Sequence, residues 1–417
     1  MAKKKIIKVG VLGVGRGRSF MGNGAKLNGL KLVSICDTWE EKLNSVGAEL
    51  NVDTYSDFDE FLKSDIDAVV LANYFHEHAP FAIKALKAGK HVMSECTTCF
   101  TLAEGVALAR AVEKSGKIYM LAENYPYMNY NQEMRRLYLK GEVGELKHAE
   151  CEYVHPDTPE VQTARSCGIN HWRNWIPSTY YCTHSIAPVM YITETRPVMV
   201  NGFVIPFDKD DPQCKDRYTI SDTSATLMVR LDNDAILKST HGGLKGHGNY
   251  TRIHGSKGLM ENSRHTDRKQ LIITKDYMDK KKGEPSQVIY SPDFPVDNEL
   301  AKKAGHGGGD FFTNRDFAIA INTGKQPFLD VYKGIDMSLC AIQGWRSALE
   351  NGAPYPIPDF RKESVRKKHA NDHWSPRIDG TPKKYQAPTS VLGKIKTSKK
   401  AMAFSQNNWD KQGYKEK

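Results

Sequence analysis

A glycine turn near the start of the chain and an acid that closes the next apolar run could together bind a dinucleotide. Apolar residues 6–12 lead into the loop Gly13-Val14-Gly15-Arg16-Gly17, and a second apolar run, residues 32–36, ends on Asp37. A glycine turn between strand and helix lets the backbone approach a pyrophosphate, while the acid accepts hydrogen bonds from a ribose. Because the same carboxylate repels a 2′-phosphate, the pattern predicts NAD rather than NADP as the cofactor.

The loop departs from the usual G-x-G-x-x-G spacing in one respect. Arg18 stands where the third glycine is usual, and Gly17 lies one residue earlier. An ordinary strand-to-helix turn is therefore the alternative interpretation. Because a strand precedes the loop, a helix follows it and an acid lies at the right distance, the dinucleotide site is favoured. The residues assigned to the cofactor phosphates and ribose are Gly13, Gly15, Arg16, Gly17 and Asp37.

The elements that would position these residues alternate regularly at the start of the chain. Residues 67–72 have the apolar character of a buried parallel strand, and Thr101 with Glu104 predicts the capped start of a helix. Strands and helices continue to alternate up to about residue 125. This order predicts an α/β domain over residues 1–125, a Rossmann domain with a doubly wound parallel sheet.

The pattern changes after residue 125. Strand-like runs follow one another between residues 198 and 275, and two longer helices are predicted near residues 309–322 and 330–351. Consecutive strands of this kind favour an antiparallel sheet, so residues 126–360 are predicted to form an α+β domain. A proline cluster at residues 354–358 precedes a lysine-rich extension, residues 361–417.

The net charge of the chain is concentrated in this extension. The whole chain carries a formal charge of +10, and residues 361–417 contain fifteen lysines and arginines against five acidic residues. The remainder is therefore formally neutral, which argues against a nucleic-acid groove. The interpretation favoured is a solvated surface or an arm that contacts another subunit, with an anionic-surface role as the alternative.

The cysteines and the hydropathy pattern bear on compartment. The sequence has eight cysteines, and the Cys96-Thr97-Thr98-Cys99 pair has no second C-x-x-C, which argues against a structural zinc site. Several cysteines lie inside apolar segments, as reduced thiols do. No apolar run reaches the length of about eighteen residues that a membrane helix needs, and no signal peptide is recognisable. The sequence predicts a cytoplasmic protein without a membrane association.

Three segments resemble the Gfo/Idh/MocA family of oxidoreductases. They are residues 67–72, the run His76-Glu77-His78-Ala79-Pro80, and residues 88–95, which end on Glu95. The resemblance spans about residues 5–360 and implies a C-terminal domain with an open antiparallel sheet. It also implies that Phe75, His78, Glu95 and the Asn124 of a Glu-Asn pair line the nicotinamide side of the cofactor pocket.

The sequence departs from the sugar dehydrogenases of that family at one informative position. Those enzymes follow the glutamate with a catalytic lysine, whereas this chain has Cys96, and a thiol does not replace an ammonium. A branch without the lysine, the NAD-dependent glycosidases of glycoside hydrolase family 109, has further motifs that this chain resembles. They are Glu123-Asn124, Tyr153-Val154-His155, Tyr181-Cys182-Thr183-His184 with Pro188, Gly305-His306-Gly307-Gly308-Gly309-Asp310-Phe311 and Pro358-Asp359-Phe360. The match is imperfect, because Cys182 stands where that branch has proline.

The resemblance to this branch implies a glycosidase in which NAD is not consumed. Transient oxidation at C3 of a sugar acidifies the C2 proton, elimination expels the C1 substituent, water adds, and the ketone is reduced again. Such a cycle needs no fixed pair of carboxylates. The residues implied are Tyr153, Tyr181, His184 and His306 as catalytic groups, Tyr153, Thr183, His184 and Asp310 as sugar ligands, and Arg173 and Tyr181 at the cofactor.

Several alternatives stay open at the sequence level. A net NAD-dependent sugar or polyol dehydrogenase, with a histidine in place of the lysine, is one, and a non-catalytic sugar or redox sensor is another. His155, His184 and His306 are also candidates for a divalent metal site, although their spacing does not place them on one helix face. The resemblance further implies a homo-oligomer, a dimer or tetramer, formed through the C-terminal sheet.

Overall fold

The first sheet is parallel and carries helices on both faces. The computed structural model describes residues 6–265 and 269–414. The strands are β1 (Ile7–Leu12), β2 (Leu30–Cys36), β3 (Asp53–Tyr55), β4 (Ala68–Leu71), β5 (His91–Ser94) and β6 (Tyr119–Leu121), and the helices are α1 (Asn23–Leu27), α2 (Glu40–Leu50), α3 (Phe58–Leu62), α4 (His78–Lys87) and α5 (Leu102–Ser115). The strand order β3-β2-β1-β4-β5-β6 confirms the predicted Rossmann domain.

Local sequence explains where these elements begin and what they bury. All four residues of β4 are buried, as expected for a central parallel strand covered on both faces. The Thr101 hydroxyl accepts a hydrogen bond from the backbone N–H of Glu104 at 3.1 Å, which caps α5 as the sequence predicts. Because the strands of this sheet are parallel, the carboxyl ends of β1, β2, β5 and β6 lie along one edge. The residues that follow these strands can meet there.

The second sheet has nine strands. The elements of this domain, in chain order, are α6 (Asn129–Leu139), β7 (Leu146–Val154), α7 (Pro159–Ala164), α8 (Thr183–Thr193), β8 (Pro197–Ile205), α9 (Pro212–Lys215), β9 (Ser224–Leu231), β10 (Ile236–Gly242), β11 (Gly248–Gly255), β12 (Gly258–Asn262), β13 (Leu271–Thr274), β14 (Gln287–Tyr290), α10 (Asn298–Ala301), α11 (Gly309–Thr323), α12 (Val331–Leu349) and β15 (Tyr355–Pro356). Helices α8 and α12 pack on this sheet. No helix of the described residues is long and apolar enough to cross a membrane.

One pair of strands corrects the prediction of a wholly antiparallel sheet. The order is β14-β13-β12-β11-β7-β10-β9-β8-β15, and β10 pairs with β7 in parallel, while the other described pairs are antiparallel. The consecutive strands β10 and β11 run in opposite directions and lie on either side of β7. Because of this arrangement, β7 must be parallel to one of them.

The basic extension folds back onto its own chain. It contains α13 (Glu363–His369) and α14 (Lys399–Lys411), and α14 buries Ala401, Ser405 and Trp409. The Ser390 hydroxyl donates to Asp222 Oδ1 at 2.7 Å, and Trp345 Nε1 donates to the carbonyl oxygen of Pro388 at 3.0 Å. The lysines of α14 stay exposed, as predicted, but the described part of the extension is packed rather than a detached arm.

Candidate active site

The loop after β1 has the conformation that close approach of a ligand requires. Gly13 has φ +96°, and a Cβ there would lie 2.4 Å from the carbonyl oxygen of Ala72. A Cβ at Gly15 would meet only Lys42 Nζ, at 4.0 Å, so the backbone there borders open space. Asp37 Oδ2 accepts from the backbone N–H of Val14 at 2.8 Å, which fixes the acid beside the loop. These features fit NAD, with Gly15 toward the pyrophosphate and Asp37 toward a ribose.

Two alanine substitutions in this loop are expected to have separate effects. Gly13→Ala should lower the melting temperature, because its positive φ and its contact with Ala72 disfavour any side chain, at a cost of about 1 kcal/mol or more. Gly15→Ala should fold normally and lose NAD affinity, because its methyl group occupies the space of the phosphates. Thermal melts and NAD titrations distinguish the two variants, and equal effects on both quantities would contradict this assignment.

Two of the predicted cofactor residues form an ion pair in front of this loop. Arg16 contacts Glu95 Oε1 at 2.6 Å, and Glu95 follows β5. Burial acts to lower the pKa of Arg16, but the carboxylates of Glu95 and Asp310 outweigh it and raise the pKa above its usual value. Arg16 therefore remains a cation between the glycine loop and the residues of α11.

A short polar contact at the junction of the two domains joins Glu123 to His184. Glu123 follows β6 and is fully buried, while His184 lies in the first turn of α8 and is 13% exposed in its side chain. His184 Nδ1 lies 2.7 and 2.8 Å from the two carboxylate oxygens. A carboxylate only accepts hydrogen bonds, so Nδ1 carries a proton in this contact, and Nε2 is the atom that gains or loses a proton when the ring changes charge.

The Glu123 carboxylate stays ionised beside this histidine. Burial acts to raise the pKa of Glu123, but the charge and hydrogen bond of His184 outweigh it and hold the pKa below its usual value. The backbone N–H of Tyr125 also donates to Glu123, at 3.2 Å. The pair has the arrangement in which an acid orients a histidine that acts as a general base.

Three tyrosines surround His184. We call His184, Glu123, Tyr125, Tyr153 and Tyr181 the His184 cluster. The ring centroids of Tyr153, Tyr125 and Tyr181 lie 4.5, 4.8 and 5.1 Å from that of His184. Burial raises the pKa of Tyr153 far above its usual value, so its hydroxyl remains a donor at neutral pH. The structure thus brings the predicted Tyr153, Tyr181 and His184 together.

Cys96 lies on the buried side of the same cluster. Its thiol donates to Glu123 Oε2 at 3.2 Å and accepts from the Thr183 hydroxyl at 3.3 Å. Burial raises the pKa of Cys96 well above its usual value, so the group is a neutral thiol. The sequence assigns the Thr183 hydroxyl to the sugar. In the structure this hydroxyl has the Cys96 thiol as its hydrogen-bond partner.

A second histidine–carboxylate pair lies beside the first. His306 Nδ1 is 2.9 Å from Asp310 Oδ2, and Asn124 Nδ2 donates to Asp310 Oδ1 at 3.2 Å. Burial acts to raise the pKa of Asp310, but His306 outweighs it and lowers the pKa. The adjacent residues Glu123 and Asn124 therefore hold one histidine each, His184 directly and His306 through Asp310.

The remaining predicted residues line an aromatic wall. Phe75 stacks on Trp172 at a centroid distance of 4.8 Å and on Tyr181 at 6.1 Å. The guanidinium of Arg173 lies 4.2 Å from the Trp172 ring centroid and 5.8 Å from that of Tyr181. Arg173 is thus at the edge of the His184 cluster, where its cation can meet a phosphate or a sugar oxygen.

His78 supports the loop after β5 rather than presenting a charge. Its side chain is buried, and its Nδ1 lies 3.2 Å from the carbonyl oxygen of Thr97. Burial lowers the pKa of His78 to about 4, so the ring is neutral at physiological pH. The loop that carries Glu95 and Cys96 is held in place through this contact.

The depressed pKa of His78 predicts a measurable pH effect on stability. The unfolded histidine takes up a proton below about pH 6.5, whereas the folded one does so only near pH 4. The free energy of unfolding therefore decreases as the pH is lowered from about 6.5 to about 4. Between pH 7.5 and 5.5 the wild type should lose about 1.4 kcal/mol more unfolding free energy than His78→Asn. Urea unfolding measures both, and equal losses would contradict the assignment.

One group of possible metal ligands comes together among the residues that the structure describes. It consists of Cys96, Glu123 and His184, whose ligand atoms lie within 4.8 Å of one another. Thiolate, carboxylate and imidazole are ligands of zinc, but hydrogen bonds already link these three groups. The alternative trio from the sequence is dispersed, since His155 lies 3.4 Å from Asp157 and His306 pairs with Asp310.

Sequence reasoning missed Glu123 as a site residue. From the Glu-Asn pair it selected only Asn124. It selected His184 from a separate motif, sixty-one positions after Glu123 in the chain. The available signal was the location of Glu123 directly after a buried strand, where an acid at the carboxyl edge of a parallel sheet is a site candidate. Its histidine partner comes from the other domain and leaves no local pattern.

Comparisons with known proteins match both domains. Residues 7–123 match a family model described as "Oxidoreductase family, NAD-binding Rossmann fold", and residues 127–367 match "Glycosyl hydrolase 109, C-terminal domain". A glycosyl hydrolase family 109 protein of Shewanella putrefaciens is 24% identical and is aligned over 86% of each chain.

Solved structures share the fold at low identity. An oxidoreductase domain protein from Kribbella flavida superposes with a TM-score of 0.72 at 20% identity, covering 85% of this chain and all of its own. Levoglucosan dehydrogenase in complex with NADH and L-sorbose has a TM-score of 0.72 at 19% identity, with the same coverage. At this identity the likeness shows the fold alone.

Proposed function

Because the chain belongs to glycosyl hydrolase family 109, we propose that it is a glycosidase that works through a retained NAD. The protein is an NAD-dependent enzyme acting on sugars. The observation that carries the proposal of a glycosidase is the His184–Glu123 pair among three tyrosine rings. This arrangement provides a base and hydroxyl donors around one small volume.

In this proposal, NAD would be held by the loop of Gly13 and Gly15, by Asp37 at a ribose, and by Arg16. When bound, NAD+ would accept a hydride from C3 of the sugar as the C3 hydroxyl gives up its proton, and both would return at the end of the cycle. Chemistry at neighbouring sugar carbons then depends on the protein side chains.

The His184 cluster supplies the proton transfers that this cycle needs. His184 Nε2 removes the proton from C2 after C3 has become a ketone, while Glu123 stabilises the imidazolium that forms. Tyr153 donates a hydrogen bond to the ketone oxygen, which stabilises the charge that develops there. The C1–O bond then breaks, the substituent leaves with the proton that His184 took from C2, and a water molecule adds its hydroxide to C1 and its proton to C2.

The neutral Cys96 thiol favours this cycle over simple alcohol oxidation. In the dehydrogenases that the sequence resembles, a lysine follows the glutamate, and here a thiol with a raised pKa takes that position and donates to Glu123. Because Cys96 provides no ammonium group to polarise an alkoxide, the proton transfers of the proposed cycle depend on His184.

A net sugar dehydrogenase is the second candidate function. The same His184–Glu123 pair can take a proton from a sugar hydroxyl in a single oxidation, and this observation favours that candidate. The homo-oligomer stays a prediction.

Purified protein incubated with nitrophenyl glycosides, without added NAD, tests the proposal. Release of nitrophenol over many turnovers, with no accumulation of NADH, is the result we expect. Stoichiometric NADH from free sugars without nitrophenol would support the dehydrogenase instead. NAD and sugar binding with neither product would support the sensor.

A further inference from the structure

A cavity of about 400 Å³ lies beside the loop after β2, where three parts of the chain meet. Its walls are Trp39, Glu41 and Lys42 from the Rossmann domain, Ala164 and Cys167 at the end of α7, and Gln412 and Gly413 from the C-terminal extension. This volume is within the range of small-molecule sites. The segment of the extension that lines it lies beyond residue 367, where the matched family models end.

The cavity adjoins the cofactor loop on the side of Asp37. Trp39 follows this acid by two residues, and its backbone N–H donates to Asp37 Oδ1 at 2.9 Å. Lys42 Nζ lies 5.1 Å from the Trp39 ring centroid and 4.0 Å from the Cβ position of Gly15. A dinucleotide whose pyrophosphate lies at Gly15 and whose ribose lies at Asp37 therefore directs its adenine into this cavity.

The wall contributed by the extension is fixed by a buried helix face. Trp409 in α14 is fully buried, and its ring lies 6.3 Å from Tyr218, edge to face. The Ser405 hydroxyl accepts from the backbone N–H of Tyr218 at 2.7 Å. These contacts hold the end of α14 against the second domain.

Tyr414 then joins the extension to both of the other walls. Its ring lies 6.4 Å from Trp39 and 6.4 Å from Trp409, edge to face in both cases. Gly168 has φ +93°, and a Cβ there would lie 2.4 Å from the Tyr414 hydroxyl oxygen. Gly168 thus leaves room for the tyrosine that packs against Trp39, one wall of the cavity.

We propose that this cavity binds the adenine end of NAD and that the extension, through Tyr414, retains the cofactor between turnovers. The indole of Trp39 offers an aromatic surface to the base, and Lys42 offers a cation toward the phosphates. The inference rests on NAD binding and not on the choice between glycosidase and dehydrogenase. A retained cofactor suits a cycle that regenerates NAD within each turnover.

The rate of NAD release from the holoenzyme tests the role of Tyr414. A glycohydrolase that destroys free NAD is added in excess, and bound NAD is followed over time. Tyr414→Ala should release NAD about tenfold faster than the wild type, because an edge-to-face aromatic contact with Trp39 is lost. Asn407→Ala, an exposed position of α14, should release it at the wild-type rate. Equal rates for Tyr414→Ala and the wild type would overturn the proposal.

Alkylation of Cys167 tests the location of the adenine independently of any substitution. All eight cysteines lie in the described part of the chain, and Cys167 is the one that is not buried. Its alkylation by iodoacetamide should accelerate about tenfold when bound NAD is hydrolysed away. Added AMP should restore the protection, while nicotinamide mononucleotide, which lacks the adenosine, should not. An unchanged rate with AMP would overturn the proposal and leave the glycosidase reaction untouched.

Discussion

Replacing His184 with alanine is expected to lower kcat about 1000-fold while the protein keeps its NAD. In the proposed cycle His184 supplies the base through Nε2, and the rings of Tyr125, Tyr153 and Tyr181 that surround it do not take over the C2 proton. Steady-state kinetics on a nitrophenyl glycoside measures the loss. The NAD content of the denatured protein shows whether the cofactor site is intact.

His148→Ala is the matched control for this variant. His148 lies on β7, the strand of Tyr153, at an odd number of residues from it, and so its side chain points to the other face of the sheet. Its kcat should stay within about threefold of the wild type. A kcat for His184→Ala within tenfold of the wild type would exclude this histidine as the base.

Replacing Glu123 with glutamine is expected to lower kcat about 100-fold to 10000-fold, through His184 rather than through the sugar. The amide keeps the volume but offers both a donor and an acceptor, so it no longer fixes the proton on Nδ1, and it does not stabilise the imidazolium. KM should change little, because Glu123 contacts His184 and not the sugar in this proposal.

The split between kcat and KM separates this positioning role from a structural one. Glu123→Asp should recover part of kcat, because it keeps a carboxylate beside Nδ1. Cys96→Ala, which removes the other partner of the carboxylate, should change kcat less than about tenfold. A Glu123→Gln variant with a lower melting temperature and a kcat within tenfold of the wild type would show that Glu123 only supports the fold.

The fold was largely predictable because its signals are local. The glycine turn after a buried strand, the acid that ends β2, and the capped start of α5 each depend on residues close in sequence. The parallel pairing of β7 with β10 was not predictable, because alternation of side chains fixes the face of a strand but not its neighbour.

The motifs selected the histidine and two of the three tyrosines of the His184 cluster, but not Tyr125 or the carboxylate. Tyr153, Tyr181 and His184 were each carried by a motif and meet as expected. Glu123 and Cys96 acquire their roles from hydrogen bonds to residues of the other domain, which a single sequence does not encode as spacing.

The basic extension shows how composition can conceal packing. Its lysines predicted a solvated or intersubunit arm, yet Ala401, Ser405 and Trp409 recur every four residues and form one buried helix face. The excess charge lies on the exposed side of the same helix. A wall of the cavity proposed for adenine therefore lies within a segment whose average character is polar.

The most direct test of the central claim is deuterium incorporation during cleavage in D2O. Protein carrying only its own NAD is incubated with a nitrophenyl glycoside that it cleaves, and the freed sugar is examined by NMR and mass spectrometry. We expect one deuterium at C2 of the product, because removal of the C2 proton and its later return pass through solvent. A product with protium at C2 would mean direct displacement at C1 and would contradict the oxidation–elimination cycle.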